Sequence, residues 1–353
     1  SLEFRVLRDR LLETLPPKQL EPEGGLKMDG AVLAPGGVAS WLAAHGTALV
    51  GVQAEGSWRA GSGDLRGLAL ASQDSSAAWL DATTLTPADD AALASWLADE
   101  HAPKAMHDAK GPLLAIWERG WDLRGLSVDT SLAAYLLRPD QRVFDLGDLT
   151  IRHLKRELAA EAASTKPDED AQLALFADAP DDSGADAMLR ARAVVELAEV
   201  LTDELEAQGA GRLLNDVELP LLRILARMER TGVAVDEPYL DGLYSTFDDQ
   251  VRAAEQGAYG VLGKQINLGS PKQWQAVLFD ELNMPKTRKT RTGYTTDADA
   301  LESLYTKTGH PFLEHLLRHR DQIRLRQTVE GLQKAIADDG RIHTTYLQTV
   351  AAT

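Results

Sequence analysis

The spacing of apolar residues changes near residue 214 and divides the chain into two parts. Upstream, from Gly30, short apolar runs alternate with segments of helical periodicity, whereas downstream nearly all apolar positions follow a helical period. Strands that are followed by helices returning across a sheet are typical of an α/β domain with two or three layers. The upstream pattern predicts strands at 48–52, 65–71 and 77–80 and helices near 88–100, 110–119 and 130–137.

The downstream part is predicted to consist of long helices joined by short turns. Acid and proline signals predict further helices over about 236–261 and 310–337. Alternating β-formers over 341–353 predict a final strand. The first downstream helix ends at Gly232, which suits a helix stop, and its apolar face comprises Val217, Leu221, Ile224, Leu225 and Met228.

Residues 266–300 combine a helix, a basic loop and a second helix. The Ser-Pro pair at 270–271 predicts a helix start and Pro285 its end. Thr296 is predicted to cap the next helix, which has carboxylates in its first turn. Between them, residues 286–291 contain four cations and no acid. This loop is either a solvated surface loop or a contact for phosphate oxygens, and neighbouring motifs decide between the two.

Composition and charge bound the function. The chain has 353 residues, which suits two domains, and it has no cysteine, which excludes disulfides and thiolate metal sites. No signal peptide or membrane-spanning apolar run is present in the sequence. The net charge is −17, but residues 264–353 carry 13 Lys and Arg against 10 Asp and Glu. An acidic body with a mildly basic end is expected when only one region contacts a polyanion.

An acidic segment at 161–186 is predicted to be a mobile loop. It contains one apolar island, Gln172, Leu173, Ala174, Leu175 and Phe176. The island resembles the QLxLF peptide with which bacterial replication proteins dock onto the sliding clamp. A second interpretation stays open, in which Leu173, Leu175 and Phe176 anchor the loop to its own domain.

From Asn215 onward, the chain resembles the start of the polymerase region of bacterial DNA polymerase I, a family A polymerase. The matching stretches are NDVELPLLRILARMERTGVAVD, INLGSPKQ, KTRKTRTGYTTDADAL and GRIHTTYLQTVAAT. A weaker resemblance to the adjoining proofreading exonuclease is carried by LRGLAL, LRGLSVDTSLAAYLL and DLGDL. The resemblance implies an α/β ribonuclease H-like, 3′-5′ exonuclease-like domain followed by a mostly α-helical thumb. The implied limits are 1–25 for the tail of an upstream 5′-nuclease part and linker, 26–214 for the exonuclease-like domain, and 215–353 for the thumb and first palm strand.

The resemblance also implies which residues contact DNA. In the family, the segment matching 266–300 belongs to the thumb, which follows the minor groove of the primer–template duplex. Hydroxyls, amides and cations at these positions can hold phosphates at any sequence. The residues so implied are Ser270, Lys272, Gln273, Lys289, Thr290, Arg291, Thr292, Arg324, Gln327, Arg341, Gln348 and Thr349.

The polymerase chemistry itself is expected to lie outside this sequence. Nucleotidyl transfer uses two aspartates to hold the metal ions, and in the family these follow the position of Thr353. Mg²⁺ is therefore expected as the cofactor of a complete polymerase, with no metal bound by this chain. The chain is expected to be enzymatic only as part of that larger protein.

The exonuclease-like domain is predicted to be inactive. A proofreading site holds two metal ions with four carboxylates, whereas here only Glu55 remains, and one carboxylate cannot hold two divalent ions. Asp129 is interpreted as a helix cap. The family's other carboxylate positions are replaced at Gln53, Pro112 and Leu189.

Three hypotheses follow. In the first, the chain is part of a DNA polymerase I in replication and repair. In the second, it is a non-catalytic module that binds DNA and docks onto the clamp. The third, an active 3′-5′ exonuclease with displaced ligands, is least favoured by the residues. The expected partners are primer–template duplex DNA and the sliding clamp, and no membrane contact is expected. The protein is expected to be a monomer in the cytoplasm, at the nucleoid.

Overall fold

A computed structural model describes residues 23–59, 61–159, 183–290 and 293–350. The chain forms two compact units, one comprising residues up to Thr231 together with those from Thr344 onward, and one comprising Gly232–His343. The division after Thr231 separates two units that each pack mainly within themselves. The domain limits implied by the family, with a boundary after Leu214, stay predictions.

The first unit is built around one six-stranded sheet. Its strands are β1 Asp29–Val32, β2 Val50–Arg59, β3 Ser62–Ser72, β4 Ser76–Asp81, β5 Lys104–Met106 and β6 Leu126–Asp129. Their order in the sheet is β1-β4-β3-β2-β5-β6. β2, β3 and β4 form an antiparallel meander, while β1 runs parallel to β4, and β5 and β6 run parallel to β2.

Helices cover both faces of this sheet. The strands and helices together form an α/β domain in the part of the chain where the apolar pattern predicts one. The described helices of this unit are α1 Val38–His45, α2 Pro87–Ala98, α3 Lys110–Glu118, α4 Thr130–Leu137, α5 Leu146–Leu149, α6 Ser183–Ala207, α7 Gly211–Leu213 and α8 Leu219–Thr231. Wider π turns continue α5 over Thr150–Leu154 and join α7 to α8 over Leu214–Glu218.

Helix α6 packs unusually close to strand β2. A Cβ atom on Gly51 would lie 2.2 Å from the carbonyl oxygen of Ala191. Small residues continue this contact, since Ala69 and Ala71 of β3 share a buried cluster with Ala187 and Ala191. The backbone approach fixes the strand that carries Gln53 and Glu55 against the helix that carries Leu189.

The second unit is mostly helical, as predicted. Its core is a cluster of buried apolar residues between positions 258 and 316, which includes Trp274, Leu278, Leu301 and Phe312. The elements are β7 Val233–Ala234, α9 Glu237–Leu262, α10 Pro271–Gln275 continued by a π turn over Ala276–Glu281, β8 Lys289–Thr290, β9 Gly293–Tyr294, α11 Ala298–Thr308, α12 Pro311–Lys334 and β10 Arg341–Ile342.

Several helix boundaries agree with the sequence signals. The Asp236 carboxylate accepts a hydrogen bond from the backbone N–H of Tyr239 (3.1 Å) and caps α9. Gly232 follows α8 in the left-handed region, at φ 64°. His310 caps α12 by accepting from the N–H of Phe312 (3.2 Å). These predictions are confirmed because each depends only on residues adjacent in sequence.

Other local predictions are wrong. The cap of α11 is Asp297, which accepts from the N–H of Ala300 (2.8 Å), and not Thr296. The helical segment that starts at Pro271 ends at Glu281 rather than at Pro285. Up to residue 350, where the described part of the chain ends, the strand predicted over 341–353 comprises only Arg341–Ile342, because its partner β7 offers only two residues for pairing.

Candidate nucleic-acid interface and exonuclease-like site

Two of the residues predicted to mark the exonuclease-like site, Gln53 and Glu55, lie on strand β2 of the first unit. The side-chain amide of Gln53 donates to the carbonyl oxygen of Ala54 (3.0 Å) and to Oε1 of Glu55 (3.3 Å). At the position where the family resemblance predicts a bridging carboxylate, an amide therefore bonds to Glu55.

The other two positions at which the family resemblance predicts carboxylates hold apolar residues. Pro112 is buried in the first turn of α3, and Leu189 is buried on α6. Among the residues that the structure describes, no group of three or more His, Asp or Glu side chains is placed to hold a metal ion. Because a divalent ion requires several oxygen ligands, the residues at these positions do not fit a two-metal site.

Helix α6 instead places a cation in the electrostatic field of Glu55. Nε of Arg190 pairs with Oδ2 of Asp186 at 2.7 Å. The hydrogen bond that Arg190 donates to Asp186 raises the pKa of Arg190 above its ordinary value, and the charges of Asp186, Glu55 and Asp145 add to this effect. Sequence reasoning missed Arg190, although its spacing of four residues from Asp186 is a recognisable helical signal.

Asp129 serves the backbone, as its interpretation as a helix cap predicts. Its carboxylate accepts from the N–H groups of Ser131 (3.0 Å), Leu132 (3.1 Å) and Ala109 (2.7 Å). Burial raises the pKa of Asp129 and lowers that of His107, whose Nδ1 lies 2.8 Å from the Thr130 hydroxyl. The hydrogen bonds of Asp129 therefore join the end of β6 to the starts of α3 and α4.

In the second unit, the turn before α10 is held by side-chain amides. Oε1 of Gln273 accepts from the N–H of Asn267 (2.7 Å), and Oδ1 of Asn267 accepts from the N–H of Gly269 (2.7 Å). Ser270 occupies the predicted N-cap position, but its hydroxyl makes no capping hydrogen bond. The Lys272 side chain is exposed on this turn.

The predicted basic loop after α10 contains a small hairpin. β8 and β9 pair antiparallel, with Lys289 opposite Tyr294. Oε1 of Gln275 accepts from the N–H of Tyr294 (3.1 Å), and a Cβ on Gly293 would lie 2.3 Å from that oxygen. The hairpin is therefore seated on α10, with the side chains of Arg288 and Lys289 exposed.

Two arginines of α12 have different environments although they are one turn apart. Nη1 of Arg320 donates to the carbonyl oxygen of Thr296 (2.7 Å), and its guanidinium lies 5.2 Å from the centre of the Trp274 ring. The Arg324 side chain is 79% exposed, with only a 3.9 Å approach to Asp321. Gln327, three residues further on, is also exposed. Arg324 and Gln327 are thus accessible to a ligand, whereas Arg320 has a structural role.

The remaining predicted contacts make bonds within their own units. In the second unit, Nη2 of Arg341 donates to the carbonyl oxygen of Gly232 (3.4 Å). In the first unit, Nε2 of Gln348 donates to the backbone oxygen (3.2 Å) and to Oε2 (3.1 Å) of Glu218. Thr349 lines a cavity of about 190 Å³ in the first unit.

Some predicted residues lie outside the part of the chain that the structure describes. They are Arg291 and Thr292, the side chain of Thr290, residues 1–22, and the predicted docking island Gln172, Leu173, Leu175 and Phe176. In the described ranges, no helix is both long enough and apolar enough to span a membrane.

Comparison with known proteins assigns both parts of the chain. Residues 237–353 match the family model described as DNA polymerase family A. Residues 62–163 match the one described as DNA polymerase I, ribonuclease H-like domain. The fold class predicted for each part is therefore confirmed.

Similar proteins support the same assignment. The chain is 54% identical over its full length to DNA polymerase I of Mycobacterium bovis and 50% identical to that of Mycobacterium leprae, and it spans 39% of each of these curated relatives. A solved structure, the POL domain of Pol1 from M. smegmatis in complex with DNA primer-template and dNTP, is 51% identical with a TM-score of 0.80. That match covers 92% of this chain and 53% of the solved chain. The chain therefore belongs to the bacterial DNA polymerase I family, the family A DNA polymerases.

Proposed function

We propose that this chain is the exonuclease-like and thumb part of a DNA polymerase I and holds primer–template duplex DNA during replication and repair. The observation that carries the proposal is the likeness to a polymerase domain described with primer–template DNA, at 51% identity and a TM-score of 0.80. Nucleotidyl transfer and its Mg²⁺ belong to the complete polymerase in this proposal. The protein acts as a cytoplasmic monomer at the nucleoid.

Exposed cations of the second unit are suited to binding the phosphates of this duplex. Lys272 lies at the start of α10, Lys289 lies on the hairpin, and Arg324 lies on α12, all exposed. Contacts of this kind neutralise phosphates without reading bases, which suits an enzyme that copies any sequence. Ser270, Gln273 and Gln327 add hydroxyl and amide groups beside them.

The DNA contact is tested by titrating a fluorescent primer–template with the 353-residue chain across a range of salt concentrations. The logarithm of the association constant is expected to fall linearly with the logarithm of salt, by about 0.9 for each phosphate neutralised. Lys289→Ala should reduce this slope by about one. Lys27→Ala, which removes an exposed lysine of the first unit, should leave the slope unchanged. A slope near zero for the unchanged chain would overturn the proposal.

The second part of the proposal is that the exonuclease-like domain has lost its catalysis. Supporting observations are the Gln53 amide bonded to Glu55 and the buried apolar residues Pro112 and Leu189. The test is removal of a mismatched 3′ nucleotide with Mg²⁺ or Mn²⁺. Robust removal that Glu55→Ala abolishes would establish an active exonuclease with displaced ligands and contradict this part.

A second function, docking onto the sliding clamp, is proposed for the segment Gln172–Phe176 on its sequence alone. One glutamine and three spaced apolar side chains are suited to filling a pocket pair on a partner. Co-elution with purified clamp should be lost in the double variant Leu175→Ala, Phe176→Ala. Unchanged co-elution of the double variant with the clamp would contradict the docking hypothesis, and so would the absence of co-elution for the original chain.

A further inference from the structure

A cluster of arginines surrounds Trp117 in the first unit. Arg223, Arg227 and Arg230 recur along α8 at intervals of four and three residues, which places them along one face of the helix. Arg124 joins them from the segment before β6. We name these four residues the arginine surface. Two open depressions of about 500 and 530 Å³ flank it, and both are lined by Arg223 and Arg227.

Arg223 is held in place by the first unit itself. Its Nη1 donates to the carbonyl oxygen of Leu123 (2.6 Å), and its Nη2 pairs with Oδ1 of Asp122 (2.6 Å). Its guanidinium lies 5.4 Å from the centre of the Trp117 ring, and that of Arg230 lies 5.8 Å from it. Because these contacts already restrict the side chains, little further order is required when a ligand binds.

Positive charge is in excess on this surface. The carboxylate of Asp122 accepts from Arg223, from Nε of Arg124 (3.1 Å) and from the indole N–H of Trp117 (3.0 Å). Burial alone raises the pKa of Asp122, but these three hydrogen bonds outweigh it and lower the pKa to about 2. One carboxylate thus serves two guanidinium groups.

Arg227 carries the surplus charge. Its side chain is exposed between the two depressions, and no carboxylate of the described residues lies within 4.0 Å of its guanidinium. Arg230 has one distant partner, Glu118 at 3.7 Å. Glu100 lines the depression of about 500 Å³, so the four arginines have three carboxylates nearby, including Asp122. This local excess is distinctive because the first 263 residues carry 20 net negative charges, obtained from the total of −17 and the +3 of residues 264–353.

We propose that the arginine surface binds the phosphodiester backbone of a nucleic-acid strand, as a second contact separate from the cations of the second unit. The planar guanidinium matches phosphate oxygens with paired hydrogen bonds. Arg223 and Arg227 are offset by about 6 Å along the helix axis, given a rise of 1.5 Å per residue. Two guanidinium groups so spaced can contact successive phosphates of one strand.

The contact reads the backbone and not the bases. The Trp117 ring already has two guanidinium groups against it, so it offers little area for base stacking, on which single-strand binding proteins commonly rely. Either a single-stranded template extension or one strand of a duplex can supply these phosphates. The two sources are distinguished by the oligonucleotide used as the probe.

The test compares Arg227→Glu with the unchanged 353-residue chain in fluorescence anisotropy, using a single-stranded oligonucleotide in one arm and a blunt duplex in the other. Arg227→Glu is expected to weaken binding about tenfold in the arm that contains the true source and to lower the salt slope by about one. Arg227→Gln, which removes the charge without reversing it, should weaken binding about threefold. Circular dichroism and the unfolding midpoint verify that each variant is folded.

The matched control is Arg66→Glu, which makes the same charge reversal at an exposed arginine of the same unit that lines neither depression. A loss with Arg227→Glu and not with Arg66→Glu supports the proposal, and the affected arm identifies the strand. Equal losses for the two variants would show a general field effect and overturn it, as would no loss in either arm. Lys289→Ala measures the DNA contact proposed for the second unit separately. If one of the two proposed contacts is absent, the other can therefore still be measured.

Discussion

The ammonium of Lys110 forms an ion pair with the carboxylate of Glu229 inside the first unit, where their side chains are 10% and 3% exposed. The same carboxylate accepts a hydrogen bond from the backbone N–H of Tyr346 (2.7 Å). Glu229 therefore connects three segments far apart in sequence: helix α3, helix α8 and the segment after Thr344. A buried pair of this kind is costly to break from one side, since the remaining charge has no partner.

Glu229→Ala is expected to destabilise the first unit by about 3 kcal/mol, because it leaves the Lys110 ammonium buried without its counter-charge. The measurement is the denaturant midpoint of unfolding. Glu118→Ala provides the control, since it breaks the half-exposed 3.7 Å pair with Arg230 and should cost less than about 1 kcal/mol. The double variant Lys110→Met, Glu229→Leu should recover most of the loss. Equal costs for Glu229→Ala and Glu118→Ala would contradict the buried role.

Two glycine substitutions should have opposite effects. Gly51→Ala is expected to cost about 2 kcal/mol or more, because the new Cβ would lie 2.2 Å from the Ala191 carbonyl oxygen on α6. Gly242→Ala, in the exposed part of α9, meets nothing within 4 Å and should stabilise the second unit by up to about 1 kcal/mol. Thermal unfolding of both variants tests the pair. A neutral Gly51→Ala would mean that α6 does not pack as closely on β2.

The buried side chain of Lys104 is expected to make the free energy of unfolding depend on pH in the alkaline range. Its ammonium is buried, donates to the carbonyl oxygens of Asp99 (2.9 Å) and Ala102 (2.7 Å), and lies 4.6 Å from the centre of the Trp96 ring. Burial lowers its pKa from 10.5 to about 8. Between these values the unfolded chain binds the proton and the folded chain does not, so this group favours the folded state increasingly as pH rises.

Relative to Lys104→Met, the unchanged chain should therefore gain about 2 kcal/mol of unfolding free energy between pH 8 and pH 10. The comparison with the variant removes the effect of other titrating groups. The measurement is urea unfolding of both proteins at each pH. A difference that stays constant, or that falls with pH, would show that the folded-state pKa of Lys104 is not lowered.

The sequence predicts those elements whose signals are local. Helix α4 begins at Thr130 and ends at Leu137 as predicted, because Asp129 supplies a cap next to the first apolar turn. Strand β1 was not predicted, since all four of its residues are exposed and no alternation marks it. Strand β2 continues past Val52 to Arg59 because it pairs with β3, a contact that polar residues such as Ser57 do not reveal on their own.

The candidate sites show the same limit. The prediction that the family carboxylates are replaced at Gln53, Pro112 and Leu189 needs only the identity of each residue, so it can be made from the sequence. The pairing of Lys110 with Glu229 joins residues 119 positions apart, and no pattern in the sequence indicates it. The arginine surface likewise depends on Trp117 and Arg223 approaching through the packing of α3 and α8.

Variants of Arg320 and Arg324 test whether the second unit uses an exposed cation to bind DNA and a half-buried one to hold its structure. Arg320→Ala should destabilise this unit by about 1–3 kcal/mol, because it removes the bond to Thr296 and the contact with the Trp274 ring. Arg324→Ala should change the free energy of unfolding by less than about 0.5 kcal/mol. It should instead weaken binding to primer–template and reduce the salt slope by about one. Normal affinity and slope for Arg324→Ala would remove this residue from the proposed DNA contact while leaving Lys272 and Lys289 to be tested by themselves.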